Sequence, residues 1–202
     1  MATPSDISVG LVHELTITAT KAGWERKDFA NLAHSEEKLR RILPFVRGYA
    51  EITQVRHVVD CDAKPFLPNG WEVEEHKKGG QLTLDMSKVK LHLSPNQMDG
   101  KRIEGNKLRK ELANEPVLNV NVLDYLLAHP DLIPEDWKRN EKEDVLRIFF
   151  WGTIHRNPNG DICVACLLWG WDFDRGIAGW VCRYRRLCDM WCGDDLAAVL
   201  AS

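Results

Sequence analysis

Most of the features that would give this chain an immediate assignment are scarce or missing. No run approaches the roughly 20 apolar residues that cross a bilayer, and no basic segment followed by an apolar one opens the chain. A transmembrane or secreted protein is therefore not expected. Positive charge is not in excess either: 27 Lys and Arg face 30 Asp and Glu, a net charge of -3. No global basic field would draw the molecule onto nucleic acid, so any such binding must use a local patch. Six cysteines in 202 residues are too few for a disulfide scaffold and are expected as thiols in the reducing cytoplasm. There is no Gly-x-Ser-x-Gly elbow for a serine nucleophile and no Gly-x-x-x-x-Gly-Lys-Ser/Thr phosphate loop. Lys77-Lys78-Gly79-Gly80 shares only the composition of such a loop and reads as a solvated turn. Neither internal repeats nor low-complexity stretches occur.

What is present is an ordinary globular composition with one unusual count. Tryptophan occurs eight times, five of them between Trp151 and Trp191, and five of the six cysteines follow residue 160. Helical spacing governs the first 50 residues. Thr3 can cap a helix carrying Leu11, Leu15 and Ala22 up to Gly23. A second helix runs from Arg26 to Ala33, and Ser35 opens a third whose apolar face is Leu39, Ile42, Leu43 and Val46, bent at Pro44 and ended by Gly48.

From Glu51 the period becomes two. Ile52 to Val59 and Trp71 to Glu75 read as strands. Leu82, Leu84 and Met86 followed by Val89, Leu91 and Leu93 read as a hairpin turning at Ser87 and Lys88. Gly105 to Ala113 is a short charged helix. Asn119 caps a second one with Val122, Leu123, Leu126 and Leu127, closed by Pro130, and Asp131 to Trp137 is one loose turn. The charged stretch Lys138 to Asp144 leads into a β-meander: Val145 to Ile154, a turn at Asn157-Pro158-Asn159-Gly160, Ile162 to Trp169, and Ile177 to Tyr184. Helices, strands, helices and strands in that order predict an α+β protein. Residues 1-50 form a helical N-terminal region and 51-202 an α+β region, which the sequence also allows to be one continuous domain.

Four groups of residues carry candidate chemistry. In His57-Val58-Val59-Asp60-Cys61-Asp62, two carboxylates one residue apart leave the end of an apolar strand. Haloacid-dehalogenase-like phosphotransferases place a nucleophile and an acid beside magnesium in this way, and nucleotide-sugar transferases hold manganese with a similar pair. The former motif continues with Gly and Thr, whereas Ala63-Lys64-Pro65 follows here. His76 and His92 could complete a metal site with the aspartates for zinc, manganese or iron, with His57 assisting; the plain alternative is that Asp60 and Asp62 bond to amides of the loop PFLPNGW. Cys163 and Cys166 have the gap of a zinc knuckle, but at i and i+3 of a strand they face opposite ways, and Val-Ala between them is no knuckle turn. The fourth group is aromatic and basic: Trp151, Trp169, Trp171, Trp180 and Trp191 lie around Arg183, Tyr184, Arg185 and Arg186. Tryptophan stacks on bases or sugars and arginine holds phosphate, while the same rings could instead close a core. Alternation puts Phe149 and Trp151 on one face and Phe150 with Gly152 on the other.

Taken together, HVVDCDAKPFLPNGWEVEEHKKGG, IEGNKLRKEL, VLNVNVLDYLLAHPDLIPEDWK and FFWGTIHRNPNGDICVACLLW resemble a group of uncharacterised hypothetical proteins from candidate-phylum bacteria and related mobile DNA, along nearly the whole chain. The resemblance implies a bacterial or phage-like, intracellular origin and brings no activity, cofactor or catalytic residue. The residues themselves lean away from catalysis. They point to a non-enzymatic protein that engages a protein or single-stranded nucleic acid through the aromatic and basic surface of the C-terminal meander. The alternatives are a metal-dependent hydrolase or transferase using Asp60 and Asp62, with magnesium, manganese or zinc, and a structural subunit of a larger assembly.

Overall fold

In the computed structural model of the protein, which describes residues 8-49, 56-173 and 176-201, the chain divides into two compact units, 1-55 and 56-202. The first is helical. Helix α1 (Val9–Lys21) starts at Ser8, whose hydroxyl accepts from the Leu11 amide, and its threonines survive in a helix because the Thr16 and Thr20 hydroxyls donate to carbonyls four residues back. Thr3, the expected cap, lies outside the described residues. Helix α2 (Arg26–Ala33) begins with a reciprocal cap between Glu25 and Asp28. Helix α3 (Glu36–Val46) begins at the Ser35 hydroxyl and carries Glu36–Arg40 and Glu37–Arg41 pairs; Pro44 falls in its last turn. Gly23 and Gly48 end α1 and α3 at positive φ. No described residue of the three helices is buried, and Leu11, Leu15, Leu43 and Phe45 are exposed.

The second unit is built on one six-stranded sheet. Its strands are β2 (Glu72–His76), β4 (Val89–His92), β6 (Arg147–Arg156), β7 (Ile162–Asp172), β8 (Ile177–Arg186) and β10 (Asp195–Leu200), in the order β4-β10-β6-β7-β8. Only β10 and β6 run parallel; β2 pairs with the far half of β6. Two-stranded ribbons flank this sheet: β1 (Val58–Asp60) with β3 (Gln81–Thr83), and β5 (Ile103–Glu104) with β9 (Met190–Trp191). Helix α5 (Val120–Ala128) buries Val122, Leu123 and Leu126 against Ile148, Phe150, Ala165 and Leu167. On the opposite face Leu108 of helix α4 (Gly105–Glu111), Leu112 and Trp191 close over Phe149, Trp151, Val164 and Cys166. Both faces being covered explains why β6 is apolar nearly throughout instead of alternating. The molecule is α+β, and among the described residues no helix is long and apolar enough to cross a membrane.

The meander appears as β6, β7 and β8, but three expectations change. Leu82 to Leu93 is not a hairpin: a 3-10 turn at Met86–Lys88 sends β3 to β1 and β4 to β10. Asp85 causes this, because its carboxylate accepts from the amide and hydroxyl of Ser87 and fixes a turn that separates the two runs. Of the strand expected from Ile52 to Val59, residues 52-55 lie outside the described residues, and the observed strand begins at Val58. Asn119 precedes α5 as expected, yet its side chain does not cap the helix. Its amide donates to the carbonyls of Cys61 and Lys77, tying β1 and the end of β2 to α5.

β6 also carries a large bulge. From Phe149 to Ile154 it advances five residues while β7 advances two, from Cys166 to Val164. On its other edge the same stretch lies between the ladder to β10, which ends at Phe149, and the ladder to β2, which begins at Thr153. Gly152 sits in the gap, bonded through its backbone to Leu118 and Lys77. A Cβ there would lie 2.8 Å from the Asn119 backbone nitrogen, so only glycine fits without movement.

Candidate functional site

The acidic doublet is committed to its own loops. Asp60 accepts from the amide of Asp62, and Asp62 accepts from the amides of Gly79 and Gly80, each at 3.0 Å. Asp62 is thus bonded to the Lys77-Lys78-Gly79-Gly80 turn and Asp60 to its own neighbour, not to PFLPNGW as the plain alternative expected. Glycines let that turn present two successive amides, and those of Gly80 and Gly79 hold the Asp62 carboxyl below the usual carboxylate range. Between the two aspartates, the Cys61 thiol is pushed up by burial and by the Asp62 and Asp60 charges, which leaves it a poor nucleophile.

His76 faces a different network. Its Nε2 lies 2.9 Å from the Cys61 carbonyl and its Nδ1 2.9 Å from the Thr153 hydroxyl. A carbonyl only accepts, so Nε2 carries the proton; Nδ1 then accepts from Thr153, whose oxygen in turn accepts from the Val120 amide. Both ring nitrogens are therefore spent on the scaffold. His57 meets the Tyr125 hydroxyl at 3.1 Å, and the His129 ring lies on Tyr125 with centroids 4.4 Å apart. His92 is on β4, opposite Ala197. Among the described residues no group of three or more His, Cys, Asp or Glu could hold a metal ion, so Asp60, Asp62, His57 and His76 are not brought together as ligands.

Cys163 and Cys166 are both buried free thiols. Cys166 packs on the α4 side with Val164, while Ala165 and Leu167 face α5; Cys163 shares the alternation of Ala165, so the pair straddles the sheet. Burial pushes their thiols up to about 12 and about 11.

The aromatic and basic residues are divided by the same alternation. Cross-strand pairs Ala165/Tyr184, Leu167/Cys182, Trp169/Trp180 and Trp171/Ala178 follow one another on the α5 side, whereas Arg183 and Arg185 oppose Cys166 and Val164 on the α4 side. Trp151 and Trp191 are buried on that second side in tilted contact, with ring centroids 4.8 Å apart. Each arginine has an internal partner. Arg185 donates to Asp195 at 2.8 Å and to the Met190 carbonyl at 2.6 Å. Arg183 donates to the carbonyls of Cys182 and Trp171, and Arg186 pairs with Asp189. Asp195 is buried and also accepts from Arg147 and from the Cys192 amide, so this ion cluster fastens β10 to β6 and β8.

What is displayed is the end of the β7–β8 hairpin. Trp169 and Trp180 meet edge to face at 5.5 Å, half-buried, with the Lys138 ammonium 3.9 Å above the Trp169 ring. Beyond them Trp171, Phe173 and Ile177 are 53%, 80% and 55% exposed. Trp169, Trp171 and Phe173 alternate, as does the sequence Trp-Gly-Trp-Asp-Phe. Phe173 and Ile177 were not among the expected site residues; for Phe173 that alternation continuing past the strand was a readable signal, whereas Ile177, paired with Asp172, lies off that face. Toward the core the same face receives Asp124 from α5, whose carboxyl burial raises to about 6, and Tyr184, whose phenol is raised by burial and by Cys182.

No family model, no curated protein and no solved structure matches this chain.

Proposed function

We propose that this is a non-enzymatic binding protein whose β7–β8 hairpin docks a protein partner. The observation that carries the reading is the aromatic end of that hairpin: Trp171 and Phe173 project beyond the core, backed by the half-buried Trp169 and Trp180, with Ile177 exposed opposite Asp172. Large rings presented at low conformational cost are what partner hot spots are made of. A protein partner is favoured over single-stranded nucleic acid because Arg185 is tied to the buried Asp195, and the exposed Arg183 and Arg186 each already bond an acceptor within the chain. Nucleic acid would need free cations along its backbone path, released from such bonds at a cost. Six free thiols support a reducing, cytoplasmic setting.

The test uses a partner purified after capture and re-measured with both components pure. Replacing Trp171 and Phe173 by serine removes exposed side chains only, so the fold is kept. Binding is expected to weaken about thirtyfold, the ~2 kcal/mol of one hot-spot aromatic. Undiminished binding by the double variant would refute the reading. So would tight binding of single-stranded DNA or RNA that is lost when Arg183, Arg185 and Arg186 become alanine.

A further inference from the structure

The bulge in β6 makes a second feature, separate from the hairpin. Where β6 changes partner from β10 to β2, no strand among the described residues fills the gap, and a cleft of about 760 Å³ opens between β2, β6 and α4. Its floor is apolar, with Leu112, Val117, Trp151 and Ile154. The rim is charged: Lys77, Arg109 and Lys110 face the single carboxylate of Glu75. Arg109 is neutralised by its ion pair with Glu75, and Lys77 spends one of its protons on the Glu115 carbonyl. Lys110 makes no ion pair or hydrogen bond among the described residues.

We propose that this cleft is a binding site for a small phosphate monoester with a flat apolar body. Three cations against one carboxylate leave the rim two positive charges in excess, which matches the charge of about -2 on a phosphate monoester better than that of a carboxylate. The volume falls in the range of roughly 300 to 1,000 Å³ typical of small-molecule sites. The walls are preformed. His76 lines the cleft and is held by Thr153 and Cys61, and Gly152, also in the lining, is fixed by backbone bonds to Leu118 and Lys77. Ligand atoms would therefore meet a surface whose order is already set. The inference does not depend on the hairpin reading, since none of the residues at the hairpin end lines the cleft.

Titration calorimetry on the full chain with phenyl phosphate, benzoate, phenol and inorganic phosphate tests it. Phenyl phosphate is expected to bind about tenfold more tightly than any of the other three, since only it offers both the body and the double charge. Lys110→Glu should weaken it about tenfold. Ala113→Trp, at an exposed position in the lining, fills the cleft and should abolish binding, and the serine variants of Trp171 and Phe173 should bind as the parent does. The proposal is overturned if phenyl phosphate binds no better than phenol or phosphate, or if Ala113→Trp binds it undiminished.

Discussion

His155 and Asp124 set opposite pH dependences on the same unit, and the balance can be worked out in advance. His155 is fully buried on β6, between Trp71 and Tyr184, with neither ring nitrogen hydrogen-bonded. Burial, with a smaller push from His76, lowers its pKa from 6.5 to about 4. The unfolded chain therefore takes up this proton from pH 6.5 downward, while the folded chain resists until about 4. The contribution is complete above 6.5 and is lost as pH falls toward 4. At about 1.4 kcal/mol per pH unit the loss comes to about 3 kcal/mol. Asp124 works in the other sense. Its pKa is raised from 3.8 to about 6 by burial, so its penalty is complete above 6 and is relieved as pH falls toward 3.8. Partial exposure of the carboxyl reduces that relief to about 1 to 2 kcal/mol. In urea unfolding between pH 4 and 7 these two groups together should contribute a loss of about 1 to 2 kcal/mol on acidification. Read against the parent at each pH so that other carboxylates cancel, His155→Phe should gain about 3 kcal/mol between pH 7 and 4, and Asp124→Asn should lose about 1 to 2 kcal/mol. If His155→Phe keeps the slope of the parent, the buried neutral imidazole is misread.

Three other outcomes follow from particular contacts. Asp195→Asn strips the buried carboxylate from Arg147 and Arg185 and should cost about 3 to 5 kcal/mol by chemical denaturation, unlike Arg186→Ala at the exposed pair, which should cost under about 1 kcal/mol. Gly152→Ala drives a methyl group to 2.8 Å from the Asn119 backbone and should lower stability by about 1 to 3 kcal/mol in the same assay. Thiol titration with an aromatic disulfide should find Cys188, the exposed thiol, reacting first, and Cys163 and Cys166 only on unfolding.

How much of this was legible depended on whether the deciding interaction was local. Capping by Ser35, the turn at Asn157 to Gly160 and the long strands after Arg147 are written in neighbouring residues, and they appear where the sequence puts them. The period-2 runs on either side of Ser87 were equally visible, but pairing is not a local property. Asp85 turned the chain, and β10, an Ala- and Leu-rich run with no alternation to announce it, took β4 as its partner. The bulge in β6 could not be read either, since it exists to let Leu118 and Lys77 bond to Gly152 from distant elements. At the candidate site, alternation correctly separated Phe149 from Phe150. Applied to β8 it would also have put Arg183 and Arg185 on the opposite face from Trp180. The acceptors that occupy Arg185, Asp195 and the Met190 carbonyl, come from the last two strands, and which carbonyls take up Arg183, those of Cys182 and Trp171, is set by the β7–β8 pairing.

The most direct measurement places a photo-reactive phenylalanine analogue at position 173 and asks what it joins in the native cell. One discrete protein adduct is expected, formed by a species that binds the purified parent and not the Trp171→Ser variant. Crosslinks to nucleic acid alone, or a protein adduct indifferent to Trp171, would contradict it.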